Sequence, residues 1–345
     1  MKVEVTLALD DFGTIGDQVR RAEALEFDGI VVPETQHNPF ASMALAAEHS
    51  ERLSIASSVA QAFVRSPTTT AYGAFDIQRF SEGRLLLGLG SQVKGQIERR
   101  FGMPWVAPGP RMRDYIHAMR EVWSCWQEER PLDYEGTHYR LNVMTPNHRP
   151  QPLPVGIPFP DVYLAAVKPY MSRLAGEICQ GVRLHSFATE AYIRAHVVPR
   201  LRQGLDRSGR SWADLDVSGG GMVVTAATEA EVAAAVERVR WSIAFYGSTR
   251  TYLSVWETHG WEETGQQLHT LSISNGWDQM PALITDEMVH TFAAVGTYEE
   301  IGQRIIERFG SFSTRTGLPL PAPEHEHLLA PSIRLLQEAT TGFAD

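Results

Sequence analysis

Lysine is scarce in this chain. Only three of its 31 basic residues are lysines, namely Lys2, Lys94 and Lys168. A GC-rich genome explains such a bias, but it leaves open why two of the three lysines lie where they do.

The chain also lacks features of membrane, secreted and nucleic-acid-binding proteins. It has no run of about 18 apolar residues, so we expect no membrane span. The string MKVEVTLALDDFG lacks the length and the small-residue cleavage site of a signal peptide, so we expect none and expect a cytoplasmic protein. Two cysteines, Cys125 and Cys179, are too few for a disulfide framework or a zinc site, so we expect buried, reduced thiols and no metal. The net charge of −10 argues against nucleic acid or an anionic membrane as a partner.

What the chain does contain is a repeated strand–helix unit. Short apolar runs recur roughly every 25 to 30 residues in the first half with helix-type patterns between them, which is typical of parallel βαβ units. The predicted strands span residues 2–9, 29–34, 53–62, 84–90, 162–167, 181–187 and 215–226, and an eighth lies within 311–321. The eighth is polar and interrupted by proline.

This pattern predicts an α/β fold, a (β/α)8 barrel of one domain over residues 1–345. Two long excursions, about 91–160 and about 245–290, are interpreted as insertions after strands four and seven. The first contains a helix pattern, RMRDYIHAMREVWSCW, and a hairpin pattern, PLDYEGTHYRL. A doubly wound open sheet is the alternative fold.

The glycines that end the fourth strand, in LLLGLGSQVKG, raise the question of a phosphate-binding loop. The dinucleotide pattern G-x-G-x-x-G fails because Val93 replaces its third glycine. The P-loop pattern fails because Gln96 and Ile97 replace its lysine and hydroxyl. Two interpretations stay open: a loop that borders a ligand, or glycines that only let the backbone leave the strand.

In a barrel, ligands bind at the carboxyl ends of the strands. Two of the three lysines, Lys94 and Lys168, follow predicted strands at this end. Their position suits an anionic ligand that is held by cations and by backbone amides at the start of helices.

Several strings along the chain resemble one family in order and spacing. They are AEALEFDGIVVPETQHNPF, SSVAQAFVRSP, GSQVKGQIERRFGMPW, RLAGEICQGV and RWSIAFYGST, and the similarity runs to about residue 310. The chain resembles the luciferase-like flavin and deazaflavin superfamily, and within it the branch that depends on coenzyme F420. The resemblance implies the barrel fold, with a deazaflavin ring at the strand ends.

The resemblance also implies positions for the cofactor-binding residues. A bulge with a cis peptide bond at Ser58–Val59, with Ala60 beside it, would support the ring; an ordinary trans strand end is the alternative. Gly90, Ser91 and Gln92 would lie along the ring or its ribityl chain, and Lys94 would reach the oligoglutamate tail. The turn at Lys168, Pro169, Tyr170 and Met171 corresponds to a phosphate-binding turn. His185, at the end of strand six, is either a site residue or a packed core residue.

His37, after strand two, is the candidate proton donor, since histidine titrates near neutrality. Glu34 is the second candidate catalytic residue, and it either orients His37 or is its structural partner. The sequence departs from the family pattern in four places, two of which are the glycine-rich strand seven, with Ser-Gly-Gly-Gly-Met, and the poorly matching strand eight. Gln92, Val93 and Lys94 stand where some deazaflavin enzymes carry an acid, and strand six reads His-Ser-Phe.

The resemblance implies an F420-dependent oxidoreductase that transfers a hydride between the deazaflavin C5 and a small organic substrate. The reaction would be reduction of a C=O, C=N or C=C bond, or oxidation of an alcohol. A homodimer is expected. Two alternatives stay open, an FMN-dependent luciferase-like monooxygenase and a barrel that binds a ligand without redox chemistry.

Overall fold

The computed structural model describes residues 1–343. Within them the strands are β1 (Lys2–Thr6), β2 (Gly29–Val32), β3 (Ser54–Ser57), β4 (Ala60–Gln61), β5 (Leu85–Gly90), β6 (Tyr134–Glu135), β7 (Arg140–Leu141), β8 (Asp161–Ala166), β9 (Gly181–Leu184), β10 (Asp216–Gly219), β11 (Met222–Ala226), β12 (Ala293–Thr297) and β13 (Arg315–Leu318).

Some helices of the same residues begin at a capping side chain. The Ser66 hydroxyl accepts a hydrogen bond from the Thr69 amide at the start of α3, and Thr228 and Glu231 form a capping box on α9. The helices are α1 (Ile15–Ala24), α2 (Pro39–Glu48), α3 (Pro67–Phe80), α4 (Lys94–Arg99), α5 (Pro108–Gln127), α6 (Pro169–Ile178), α7 (Glu190–Tyr192), α8 (Val198–Ser208), α9 (Glu229–Gly247), α10 (Leu253–Glu257), α11 (Glu262–Ile273), α12 (Asp286–Phe292), α13 (Ile301–Phe309) and α14 (Glu326–Glu338).

The chain divides into two compact units. The first unit comprises Thr6–Ala24 and Asp28–Ala165, and the second comprises Met1–Val5, Leu25–Phe27 and the chain from Ala166 onward. In the first unit β2 pairs with β3, β3 and β4 both pair with β5, and β5 pairs with β8. In the second unit β13 pairs with β1 and β10, and β10 pairs with β9. All these pairs are parallel.

These nine strands belong to one sheet. Because β3 and β4 are two parts of one interrupted strand, the nine count as the eight strands of a (β/α)8 barrel. The predicted fold class is therefore confirmed. β2 is buried along its whole length, as its continuous apolar run predicted, and β9 is equally buried although it contains Arg183. The single domain over the whole chain stays a prediction.

The seventh predicted strand, residues 215–226, is wrong as a single element. The structure divides it into β10 and β11, because Gly219 and Gly220 adopt positive φ angles of 81° and 110° and break the extended backbone. β11 leaves the main sheet and pairs in parallel with β12, a strand that the sequence did not predict. The eighth barrel strand, β13, lies within the predicted range.

The first excursion contains both elements that the sequence predicted for it. The helix pattern lies within α5, and the hairpin is the antiparallel pair β6–β7. The second excursion contains α10, α11 and part of α12. Their status as insertions stays a prediction.

A cluster of charged side chains is buried in the second unit. The Glu4 carboxylate accepts hydrogen bonds from Arg183 at 2.5 and 3.1 Å and from Arg315 at 3.2 Å. Arg315 also donates to Asp216 at 2.9 Å. Since each charge has an opposite partner, burial of the cluster is tolerated, and it ties β1, β9, β10 and β13 together.

Candidate active site at the strand ends

The break between β3 and β4 is the most distinctive backbone feature of the first unit. The peptide bond between Ser58 and Val59 is cis, which confirms the geometry that the family resemblance implied. The Ser57 hydroxyl donates a hydrogen bond of 2.8 Å to the carbonyl oxygen of Gly88 on β5. Ala60 and the next three residues, up to Phe63, are buried.

The glycines of β5 make room for this break. A Cβ atom on Gly88 would lie 2.0 Å from the Ser57 carbonyl oxygen, and a Cβ atom on Gly90 would lie 2.4 Å from Cγ2 of Val59. Only glycine fits at both positions, since no real Cβ contact is that short. This supports the interpretation that the glycines serve backbone packing rather than a nucleotide-type phosphate loop.

Glu34 lies just after β2, and every oxygen of its carboxylate accepts a hydrogen bond. Its carboxylate accepts hydrogen bonds from both terminal nitrogens of Arg65, at 2.7 and 2.9 Å, and from the backbone amide of Gln61 at 2.7 Å. Its side chain is 8% exposed. The expected contact between Glu34 and His37 is therefore wrong, because Arg65 and the backbone amide of Gln61 in β4 occupy the carboxylate.

His37 lies on the loop between β2 and α2. Its ring packs edge-on against Phe12, with 4.8 Å between the ring centroids. Within residues 1–343 its ring nitrogens make no hydrogen bond, whereas the neighbouring Asn38 side chain caps α2. His37 is half-buried, so both nitrogens are left for a ligand.

The loop after β5 is exposed. Gln92 adopts a positive φ angle of 57°, and the Ser91 hydroxyl donates to the Gln92 carbonyl oxygen at 3.1 Å. Lys94 is the first residue of α4; its side chain is 66% exposed and its Nζ lies 3.9 Å from Glu98. An exposed pair at this distance contributes little stability, so Lys94 can turn to another anion.

The turn after β8 lies in the second unit. Lys168 precedes α6, Pro169 is the first residue of that helix, and Met171 is buried. The Lys168 ammonium donates a hydrogen bond of 2.9 Å to the Thr251 carbonyl oxygen. The guanidinium of Arg173 lies over the Tyr170 ring, at 5.1 Å from its centroid.

His185, immediately after β9, is held by an amide and two aromatic rings. The Phe187 amide donates to its Nδ1 at 3.0 Å. The ring centroids of Tyr246 and Tyr252 lie 4.9 and 4.8 Å from that of His185. Burial lowers the pKa of the His185 imidazole to about 4, so the ring is neutral at physiological pH.

Sequence reasoning missed four residues that shape these strand ends, namely Gln61, Arg65, Tyr246 and Tyr252. The first three lie within strings that carried the family resemblance, but no residue spacing indicated their partners. Each partner is distant in sequence: Arg65 is 31 residues from Glu34.

The acidic and histidine-rich string PEHEHLL lies in the turn before α14 and in its first residues. Between residues 1 and 343, no group of three or more histidine, cysteine, aspartate or glutamate side chains is arranged to hold a metal ion. None of the helices in that part is both long and apolar enough to span a bilayer.

Comparison with known proteins identifies the family. The model of the luciferase-like monooxygenase family matches residues 2–315. An uncharacterised protein of Mycobacterium tuberculosis is 42% identical over 303 residues, which cover 86% of this chain and 88% of the relative. An F420-dependent glucose-6-phosphate dehydrogenase of Intrasporangium calvum is 29% identical over 235 residues, covering 63% of this chain and 67% of the relative.

The fold is also similar to that of a solved structure. The coenzyme F420-dependent tetrahydromethanopterin reductase of Methanopyrus kandleri superposes with a TM-score of 0.78 and 19% identity, over 98% of this chain and 97% of the other. This likeness agrees with the barrel fold. From the extent of the family match and the 42% identity, the chain belongs to the luciferase-like monooxygenase family.

Proposed function

We propose that this chain is an F420-dependent oxidoreductase. It would transfer a hydride between the deazaflavin C5 and a small organic substrate, by reduction of a C=O, C=N or C=C bond or by oxidation of an alcohol. The observation that carries the proposal is the strand break at Ser58–Val59. Gly88 and Gly90 leave room for it on one side. On the other side Glu34 accepts hydrogen bonds from the Gln61 backbone amide and from Arg65 and so fixes the main chain after the break. The relative that is named as F420-dependent supports the choice of cofactor.

The residues fit such a cofactor in two separate groups. In the first unit the ring would lie against Ser58, Val59 and Ala60, with Gly90, Ser91 and Gln92 beside it, and Lys94 would contact the anionic tail. In the second unit the turn of Lys168, Pro169, Tyr170 and Met171 would bind phosphate, and His185 would contact the ligand. The first α6 amides and the Lys168 ammonium are the groups that a phosphate prefers.

When bound, a deazaflavin supplies a two-electron hydride donor or acceptor. The protein must then hold the substrate close and move one proton. His37 is proposed for the proton, because both of its ring nitrogens lack a hydrogen-bond partner in the described chain. Glu34 has no such freedom, so we assign it a positioning role through Gln61 and Arg65.

Cofactor binding tests the proposal directly. Purified protein is titrated with F420, with FMN, and with the deazaflavin that lacks the phosphate and the oligoglutamate tail, and binding is followed by fluorescence. We expect F420 to bind more tightly than FMN. Tight FMN binding without F420 affinity would overturn the proposal in favour of a flavin monooxygenase, and binding of neither would favour a non-redox barrel.

Two variants make this test specific for the anionic groups. Lys168→Gln and Lys94→Gln are each expected to weaken F420 binding several-fold, because each removes one cation, and to leave binding of the tail-free deazaflavin unchanged. A Lys2→Gln variant is the matched control, since Lys2 lies at the start of β1. Equal effects on both ligands would contradict the assigned roles.

We also propose that the protein is a homodimer and acts in the cytoplasm. Light scattering on the purified protein would then give a mass of roughly twice the 38.4 kDa of one chain. A mass of one chain would overturn the dimer.

A further inference from the structure

The protonation of the His185 ring follows from its hydrogen bond. The Phe187 amide can only donate, so Nδ1 of His185 accepts and carries no proton. A neutral imidazole has one N–H group, and it must therefore be at Nε2. The ring is thus a fixed hydrogen-bond donor at Nε2.

This donor is unused and reachable. Within residues 1–343 Nε2 of His185 has no hydrogen-bond partner. It also does not belong to the polar atoms that are both buried and unpaired in the described chain, so solvent or a ligand can reach it. Because no group of the described chain occupies this N–H, a ligand acceptor can replace solvent there without breaking a hydrogen bond within the protein.

The surroundings of the ring are aromatic. Tyr246 stands edge-on to His185 at an interplanar angle of 85°, and Tyr252 lies tilted at 32°. Tyr252 packs in turn on Phe187, whose ring stacks on Phe292 at 4.6 Å. Burial raises the pKa of the Tyr252 hydroxyl to about 12, so this wall carries no charge at physiological pH. Flat, uncharged groups suit such walls better than ions do.

We propose that His185, Tyr246 and Tyr252 form a subsite for a flat, conjugated and uncharged group, and that Nε2–H of His185 donates a hydrogen bond to its carbonyl oxygen. The assignment rests on the proposed function for the source of that carbonyl. The carbonyl can belong to the deazaflavin ring or to the substrate, since both offer the same chemistry. His185 therefore acts as a neutral donor and not as an acid or base.

Two variants separate the donor from the shape of the ring. His185→Phe keeps a flat ring and removes the N–H group, whereas His185→Gln places an amide N–H near the position of Nε2. Circular dichroism checks that both variants fold. Nitrogen-15 NMR of the wild-type side chain first tests the protonation, and the proposal is overturned if the ring is charged at pH 6 or carries its proton on Nδ1.

Binding to three probes then distinguishes the sources. The tail-free deazaflavin reports on the cofactor ring. Benzylideneacetone, a flat conjugated ketone, reports on the substrate, and (E)-1-phenylbut-1-ene, with CH2 in place of the carbonyl, is its control. Calorimetry measures the dissociation constants, with the ketone also titrated in the presence of F420.

We expect His185→Phe to weaken binding of the deazaflavin or the ketone about tenfold, the size of one neutral hydrogen bond, with the hydrocarbon unchanged and His185→Gln close to wild type. If His185→Phe weakens binding of the deazaflavin, the carbonyl that accepts the hydrogen bond belongs to the cofactor. If it weakens binding of the ketone, that carbonyl belongs to the substrate. The inference fails if His185→Phe binds both carbonyl probes as tightly as wild type, or if wild type binds neither. Failure of F420 itself to bind wild type refutes the proposed function instead.

Discussion

Glu34 shows how a single residue near the strand ends acts through the backbone. Its carboxylate receives three hydrogen bonds, two from Arg65 and one from the amide of Gln61. The guanidinium also lies over the ring of Phe40, at 5.5 Å from its centroid. Both side chains are largely buried, so removal of either charge would leave the other buried without a counter-ion.

We predict that Glu34→Gln lowers the free energy of unfolding by about 3 kcal/mol, because the Arg65 charge is left buried without a counter-ion. Urea denaturation measures the change. The double variant Glu34→Gln/Arg65→Met is the control, and it should recover part of the loss since it buries no unpaired charge. A single variant within about 0.5 kcal/mol of wild type would contradict a buried pair.

The sequence alone could not predict this pair. The acid and the histidine after β2 are three residues apart, and their proximity in sequence favoured a contact between them. Arg65 follows a different strand, and only the fold brings it to Glu34. By contrast, the cis bond at Ser58–Val59 was predictable, because a local string carried the resemblance.

At the scale of elements, β5 and the interrupted strand β3–β4 depend on each other. Gly88 lies against a backbone oxygen, which has no side-chain freedom to move aside, and Gly90 lies against the side chain of Val59. A Cβ atom on Gly95 in α4 would have no neighbouring atom within 4 Å, so the same substitution there meets open space.

We therefore predict that Gly88→Ala costs at least about 2 kcal/mol of stability, because the added carbon forces β5 away from β3. Gly95→Ala is the matched control and should leave stability unchanged or raise it by up to about 1 kcal/mol, as expected for alanine in a helix. Thermal unfolding of the two variants gives the comparison. Equal melting temperatures of the two variants would contradict this prediction, because β5 and β3 could then accept the added carbon without loss of stability.

Elements with one continuous pattern were predictable, and those defined by an interruption were not. Apolar runs located the barrel strands, and the helix pattern RMRDYIHAMREVWSCW located α5. The run 215–226 looked like one strand because its residues after Asp216 are small or apolar. β12 was missed since it becomes a strand only by pairing with β11, a partner about 70 residues away.

At the scale of the whole molecule, His185 makes stability depend on pH. Its pKa in the folded protein is about 4, below the ordinary value of 6.5. Between these values the unfolded chain binds more protons than the folded one, so stability falls as the pH is lowered through this window. Burial lowers the pKa of His259 as well, which acts in the same direction.

We predict that His185 alone removes about 2 kcal/mol of stability between about pH 7.5 and pH 5. Urea denaturation at the two pH values measures the loss for the wild type and for His185→Gln, in which this residue no longer titrates. The variant should lose about 2 kcal/mol less than the wild type over the same interval. The same loss in both proteins would contradict the neutral, buried ring.

The buried cluster around Glu4 also bears on the order in which the chain can fold during synthesis. β1 is made first, but within the second unit its partner is β13, and Glu4 meets Arg315 across 311 positions of sequence. The residues of the first unit, up to Ala165, leave the ribosome much earlier. The Glu4 carboxylate can therefore accept its hydrogen bond from Arg315 only after the chain between them, 311 positions long, has been translated.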